Sequence, residues 1–262
     1  MNEVQTFVLE DHGIRGALVR LEDTWQRVVA AHDYPPEVRA LLGESIVSTL
    51  LLATGLKATP SVALQLQGSG PLKLLLVQCT DGQRVRGMAS FKEYSAGTPL
   101  LGEGRLVVNL DTGKPNGFFQ GIVPLTSTKL EECLESYFAQ SEQLETRLVL
   151  RADEQRVSGL LLQVLPGHDE TRAAAEELLP KLFAGQSIRL FSPRPVEHDC
   201  RCTPERLAGV VRMLGADEVK SLLAEQGHVE LKCEFCNRAF RYDDKQVDAI
   251  MRGAAQESSA VH

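Results

Sequence analysis

The sequence predicts an α+β protein, a mixed helix-and-strand core followed by a small cysteine-bearing unit. Three observations carry this. Short alternating segments follow one another without intervening helices, which favours α+β over a doubly wound sheet. One long helical stretch after Pro36 is apolar on more than one face, as expected of a helix buried inside a domain. Four of the six cysteines fall in two tight pairs after residue 199.

The elements follow in order. Val4–Leu9 and Ile14–Leu21 read as strands, and Thr24–His32 as a short helix. Pro36 opens the long helix, which is expected to reach towards Lys57, with proline at its first position. Val62–Gln67, Leu72–Cys79, Arg84–Ser90, Gly104–Leu110 and Gly117–Val123 alternate apolar and polar residues between turn residues, the pattern of half-buried strands. Lys129–Gln140 reads as a helix, and Arg147–Arg151 and Val157–Leu165 as strands. This core is assigned residues 1–166. Beyond Pro166-Gly167, His168–Phe183 is a polar, Ala- and Glu-rich helical stretch interrupted by Pro180, and Phe191–Pro195 reads as an extended connector. Residues 167–199 are therefore expected to form a weakly anchored helical linker. In residues 200–262, Thr203 is a good N-cap with Pro204 at N1 and Glu205 in the first turn. A second helix, Asp217–Gln226, ends at Gly227. His228–Lys232 and Arg238–Tyr242 make a hairpin. A last helix starts near Asp243 and ends before Gly253, leaving Gln256–His262 as a mobile tail.

Composition narrows the function. At 262 residues, 43% hydrophobic and 24% charged, the chain has the make-up of a soluble globular protein. The most apolar stretch, Ile46–Leu56, is too short and too interrupted to span a bilayer, which needs about 20 apolar residues. No export signal is visible at Met1–Thr6, so the reading is cytoplasmic, with no membrane partner. The net charge of −7 argues against nucleic acid as a partner.

In a reducing compartment, paired cysteines more often hold metal than form permanent disulfides. Cys200-Arg201-Cys202 and Cys233-Glu234-Phe235-Cys236 fit a closed four-thiolate Zn²⁺ site, one ion per chain, each pair clipping one edge of a tetrahedron. A closed site leaves no position for a catalytic water, so no catalytic residue is assigned and the chain is not read as an enzyme. His198 and His228 are read as solvated loop residues, since four cysteines complete the site. His228-Val229-Glu230 ahead of Cys233 superficially resembles a zinc deaminase signature, but Lys232 stands where that signature needs proline and the separation is too short. Cys79 and Cys133 are read as small buried hydrophobes.

Residues 200–262 contain few core candidates beyond their leucines, Phe235 and Phe240, and such small units need a staple. Zinc-bound thiolates are also the reactive form towards oxidants, and Arg201, Arg206, Lys232, Arg238 and Arg241 lie close enough in sequence to offset their charge. If one member of a pair is oxidised to sulfenic acid, its neighbour can condense with it. Pairing Cys200 with Cys202 and Cys233 with Cys236 consumes all four ligands. Spacing alone leaves open a passive zinc clip, a zinc-ribbon module acting in transcription or translation, and a dithiol oxidoreductase built on Cys233-x-x-Cys236.

The chain resembles the heat-shock protein 33 family of redox-regulated holdase chaperones. The resemblance runs over nearly the whole length. It is carried by His32–Pro35, Gln65–Pro71, Phe119–Val123, Tyr137–Leu144, Leu161–Pro166, Cys200-x-Cys202 and Cys233-x-x-Cys236-Asn237. It implies a compact chaperone core, a helical linker and a zinc redox-switch domain. It further implies inactivity when four cysteines hold zinc. Oxidation would form the Cys200–Cys202 and Cys233–Cys236 disulfides, release zinc and bare a surface that grips unfolding client proteins without ATP. A homodimer is implied for the oxidised state. The stretch between Pro166 and Cys200 is shorter than that family's linker is expected to be, and Thr203 stands where serine is expected.

Overall fold

A computed structural model describes residues 1–56, 61–95, 97–166 and 187–259, with side chains as far as Arg252. It falls into two compact units, Met1–Asp199 and Cys200–His262.

The first unit is built on two sheets and a central helix. One sheet holds β1 (Asn2–Leu9), β2 (Ile14–Leu21), β8 (Thr146–Ala152) and β9 (Val157–Val164). The other runs in the order β5 (Arg84–Phe91), β4 (Leu72–Thr80), β3 (Ser61–Gly68), β6 (Gly104–Asp111) and β7 (Phe118–Pro124), all antiparallel neighbours. α1 (Asp23–Val29) follows β2. α2 (Pro36–Ala53) lies against strands of both sheets and is buried on nearly every side, which is why its sequence shows no single apolar stripe. It ends at Ala53, short of the expected reach. Thr54 Oγ1 donates to the Leu51 carbonyl (2.6 Å), satisfying one of the carbonyls a helix leaves orphaned at its C-terminus. Lys57 lies outside the described residues.

Small residues let α2 sit this close. A Cβ on Gly159 of β9 would lie 2.2 Å from Val47 Cγ1, and one on Gly43 would lie 2.6 Å from Val157 Cγ1. Ser45 and Thr49 bond back to the carbonyls of Leu41 and Ser45, both at 2.7 Å, so their hydroxyls are buried at little cost.

Glu44, half-buried on α2, is the exception. Burial, reinforced by Glu131 and opposed by Arg151, pushes its carboxyl up from 4.5 to about 7. The folded state therefore holds this proton more tightly than the unfolded chain, and the associated stability is full below pH 4.5 and lost as pH rises through 7. Glu44→Gln should raise stability at pH 8 by roughly 1 kcal/mol, allowing for partial solvent screening. The gain should vanish near pH 4.5 when urea midpoints are compared across pH.

α3 is shorter than expected (Leu130–Tyr137) and passes into a π-turn over Phe138–Glu142, closed by Gln143 at φ 55°. The expected helix over His168–Phe183 lies outside the described residues. The segment after it differs from a loose connector. β10 (Ile188–Leu190) and β11 (Arg194–Pro195) pair antiparallel with β1, and β12 (Glu197–His198) pairs parallel with β5. Val196, between them, is 3% exposed. Three-residue and two-residue strands are too short for an alternation pattern to announce them, and Pro193 and Pro195 read as connector.

In the second unit Thr203 caps α4 (Pro204–Leu214), accepting from Arg206 N–H at 3.3 Å. α5 (Ala216–Gln226) ends at Gly227 in the left-handed conformation. β13 (Val229–Lys232) and β14 (Ala239–Tyr242) form the hairpin. α6 (Asp244–Ser259) starts at a reciprocal cap, in which Gln246 N–H donates to Asp243 Oδ1 and Asp243 N–H to Gln246 Oε1. It runs well past Gly253, and Gln256–Ser259 are helical rather than tail. Ala254, Ala255, Gln256 and Glu257 are strong helix formers that carry the helix through one glycine. The small core is centred on buried Val211, Val219, Val229, Tyr242 and Val247, with Leu207, Leu222, Leu223, Leu231 and Phe240 partly buried against it. Valines and a tyrosine thus join the expected leucines and Phe240, and Phe235 is not part of the cluster.

Candidate metal centre

Two local structures place the four thiols. The Cys200–Cys202 pair leads into the Thr203-capped α4. The Cys233–Cys236 pair forms the tip of the β13–β14 hairpin, where Asn237 N–H donates to Cys233 O (2.8 Å) and Cys233 N–H donates to Arg238 O (3.0 Å). Asn237 adopts φ 55°, a left-handed position that asparagine tolerates better than most residues. The Tyr242 hydroxyl donates to Pro204 O at 2.7 Å and ties the hairpin to the start of α4. Sequence reasoning did not pick out Tyr242, whose only signal is an aromatic closing the second strand of the hairpin.

The structure brings all four expected residues together. The Sγ atoms of Cys200, Cys202, Cys233 and Cys236 lie within 4.8 Å of one another, with Cys200 to Cys233 at 3.6 Å and Cys202 to Cys236 at 3.3 Å. A tetrahedron with Zn–S bonds of ~2.3 Å has sulfur–sulfur edges of roughly 3.8 Å, so the cluster has the dimensions of a four-thiolate metal site. No pair is at disulfide distance, and all six cysteines are free thiols.

The electrostatics within the cluster are uneven. Burial and the neighbouring thiols push Cys202 far up, and burial raises Cys200. Cys233 goes the other way. Although burial opposes it, the backbone N–H groups of Cys236 and Phe235 and the thiols of Cys200 and Cys236 pull it below the ordinary value. Oriented backbone N–H groups thus supply part of the stabilisation expected from basic side chains. Of those side chains, Arg241 bonds Glu230 at 2.6 Å, Lys232 faces Glu230 at 4.0 Å, and Arg206 donates to Arg201 O at 3.0 Å.

His198 and His228 lie outside the four-residue group. His198 is not a solvated loop residue. It sits half-buried in β12, and burial, with Arg27 nearby, lowers its pKa. His228 contacts the Gln226 carbonyl at 2.9 Å. Cys79 and Cys133 are buried in the first unit, and burial pushes Cys79 up to about 12, consistent with inert packing. Cys233-x-x-Cys236 lies at a hairpin tip rather than where a strand opens into a helix, the setting of thioredoxin-like redox pairs. No helix among the described residues is long and apolar enough to cross a membrane.

Fold and cluster together define a class: a two-unit α+β protein with a four-cysteine, metal-competent C-terminal unit. Residues 2–243 match the family model described as Hsp33 protein. The chain is 37% identical to the 33 kDa chaperonin of Shewanella woodyi, with 95% of each chain covered. It is 39% identical to that of Nitrosococcus oceani, covering 95% of this chain and 94% of the relative. The fold is that of the crystal structure of the Thermotoga maritima 33 kDa chaperonin, with a TM-score of 0.79 at 21% identity over 97% of this chain and 99% of the other. The chain belongs to the Hsp33 family, whose members are named chaperonins, a non-enzymatic function.

Proposed function

We propose that this chain is an oxidation-activated, ATP-independent holdase of the cytoplasm, held inactive by Zn²⁺ on Cys200, Cys202, Cys233 and Cys236. The reading is carried by four thiols gathered within 4.8 Å in a unit with a small core. When bound, zinc supplies folding energy and keeps the ligands as thiolates. Residues 1–166 are the chaperone core, 167–199 the linker and 200–262 the switch. Clients are unfolded or partly folded polypeptides, and the oxidised chain forms a homodimer. Phe118, Phe119 and Ile122 of β7 stand in solvent, 61%, 59% and 55% exposed, apolar surface of the kind a holdase needs.

In the switch, peroxide oxidises one thiolate of a pair to sulfenic acid, and its neighbour displaces water to form the disulfide. Each peroxide takes two electrons and yields two waters. We propose the pairs Cys200–Cys202 and Cys233–Cys236. The sulfur contacts at 3.6 and 3.3 Å run between pairs, and these disulfides require the side chains to swing once the ligand set is broken.

Zinc stoichiometry and thiol counting on one sample, before and after peroxide at elevated temperature, test the reading. One zinc and four reactive switch thiols should fall to zero as suppression of client aggregation switches on. Equal protection by the reduced and oxidised forms would sink the switch. Peptide mapping that finds Cys200–Cys233 and Cys202–Cys236 instead would overturn the pairing alone.

A further inference from the structure

Two segments that stand out in the sequence, Tyr137–Leu144 and Leu161–Pro166, have no part in the thiol cluster. The fold brings them to one place, a pocket of about 220 Å³ beside the C-terminal end of α2. Its walls include Leu52, Leu56, Phe138, Leu144 and Val164, and two charged residues line it, Arg15 of β2 and Glu142 of the π-turn.

Arg15 is held there by design of its neighbours. Its Nε donates to Gln163 Oε1 at 2.6 Å, and Gln163, itself 1% exposed, donates to Thr146 Oγ1 at 2.8 Å. A Cβ on Gly55 would lie 2.9 Å from Arg15 Nη2, so the missing side chain makes room for the guanidinium. Glu142 faces Arg15, but its carboxylate already accepts from the Tyr137 hydroxyl. Among the described residues, Gln163 is the hydrogen-bond partner of the Arg15 guanidinium, and no carboxylate lies within ion-pair distance. Burial lowers the Arg15 pKa, the signature of a cation short of compensation. Phe138 and Glu142 on the wall belong to the π-turn closed by Gln143 at φ 55°, the sort of local irregularity that concentrates at binding sites.

We propose that this pocket binds a small monocarboxylate with a short apolar body, its carboxylate on the Arg15 guanidinium and its hydrocarbon among the leucines. The volume is below the ~300–1,000 Å³ of drug-sized sites and above the ~150 Å³ cavity that holds benzene, which sizes the ligand at about six carbons. A planar guanidinium matches a carboxylate in a two-bond fork. With Glu142 close by, one cation does not compensate a dianion such as phosphate.

The full-length reduced chain is titrated calorimetrically with hexanoate, 1-hexanol and inorganic phosphate. Hexanoate should bind saturably, hexanol at least tenfold more weakly, and phosphate not at all. Arg15→Gln should erase the preference for hexanoate over hexanol. Leu56→Trp, which adds bulk to the pocket lining, should weaken hexanoate at least tenfold, and it carries the test if the Arg15 variant does not fold. Absence of saturable hexanoate binding, equal affinity for hexanol, or wild-type affinity in either folded variant overturns the proposal. None of these readouts depends on the thiol switch.

Discussion

Removing zinc with a chelator under reducing conditions should unfold residues 200–262 and leave the two large sheets folded. The second unit buries five core side chains fully or nearly so. A unit this small, with a core of that size, generally needs a staple. Structural zinc contributes an apparent ~10–16 kcal/mol in small zinc domains, comparable with the ~5–15 kcal/mol net stability of a whole domain. Cys233→Ser should act like the chelator. Hydrogen exchange is the direct measurement: amides of β13, β14 and α4 should lose protection while those of β2, β4 and α2 keep it. Retained protection in the second unit after complete zinc removal would show that its valine core suffices and that the thiols are not its staple.

The converse result is expected from Gly159→Val. Its Cβ would be built 2.2 Å from Val47 Cγ1, 3.1 Å from Leu150 Cδ2 and 3.2 Å from Leu51 Cδ1. None of these is the free end of a long side chain, and α2 is packed against both sheets and has nowhere to retreat. Overpacking costs of ~1–3 kcal/mol are ordinary and larger ones occur when backbone must move. A loss of about 3 kcal/mol or more is expected here, a large share of the ~5–15 kcal/mol stability of a domain. Denaturant melts followed by Trp25 fluorescence, which reports the buried core, should show it, while zinc stoichiometry stays at one per chain. An unchanged midpoint would mean that α2 is less tightly held than its contacts indicate.

Much of the fold is legible in the sequence wherever one face of an element is buried and the other is wet. β2 is read to the residue, and the long strands β3 to β6 to within one residue at either end, because alternation and turn residues agree. The helices fare less well at their ends. α2 is buried all round, so no stripe marks where it stops, and the π-turn after α3 keeps helical composition while changing its hydrogen bonding. β10, β11 and β12 escape notice because their pairing is decided by distant partners, β1 and β5, rather than by local pattern. At the candidate metal centre the four cysteines that cluster are legible from spacing alone. The supporting groups are not: Asn237 works through its backbone angle, Tyr242 through a bond to Pro204 O, and the N–H groups of Phe235 and Cys236 through turn geometry.

The pairing of β10, β11 and β12 has a topological consequence. These short strands border β1 in one sheet and β5 in the other, and each large strand has its second neighbour, β2 or β4, on the opposite side. Detaching residues 188–198 would therefore turn β1 and β5 into open edges together. An open edge offers a row of unpaired N–H and C=O groups to any extended chain. One short stretch of polypeptide thus guards two templates for strand addition, and both are uncovered by a single act of peeling.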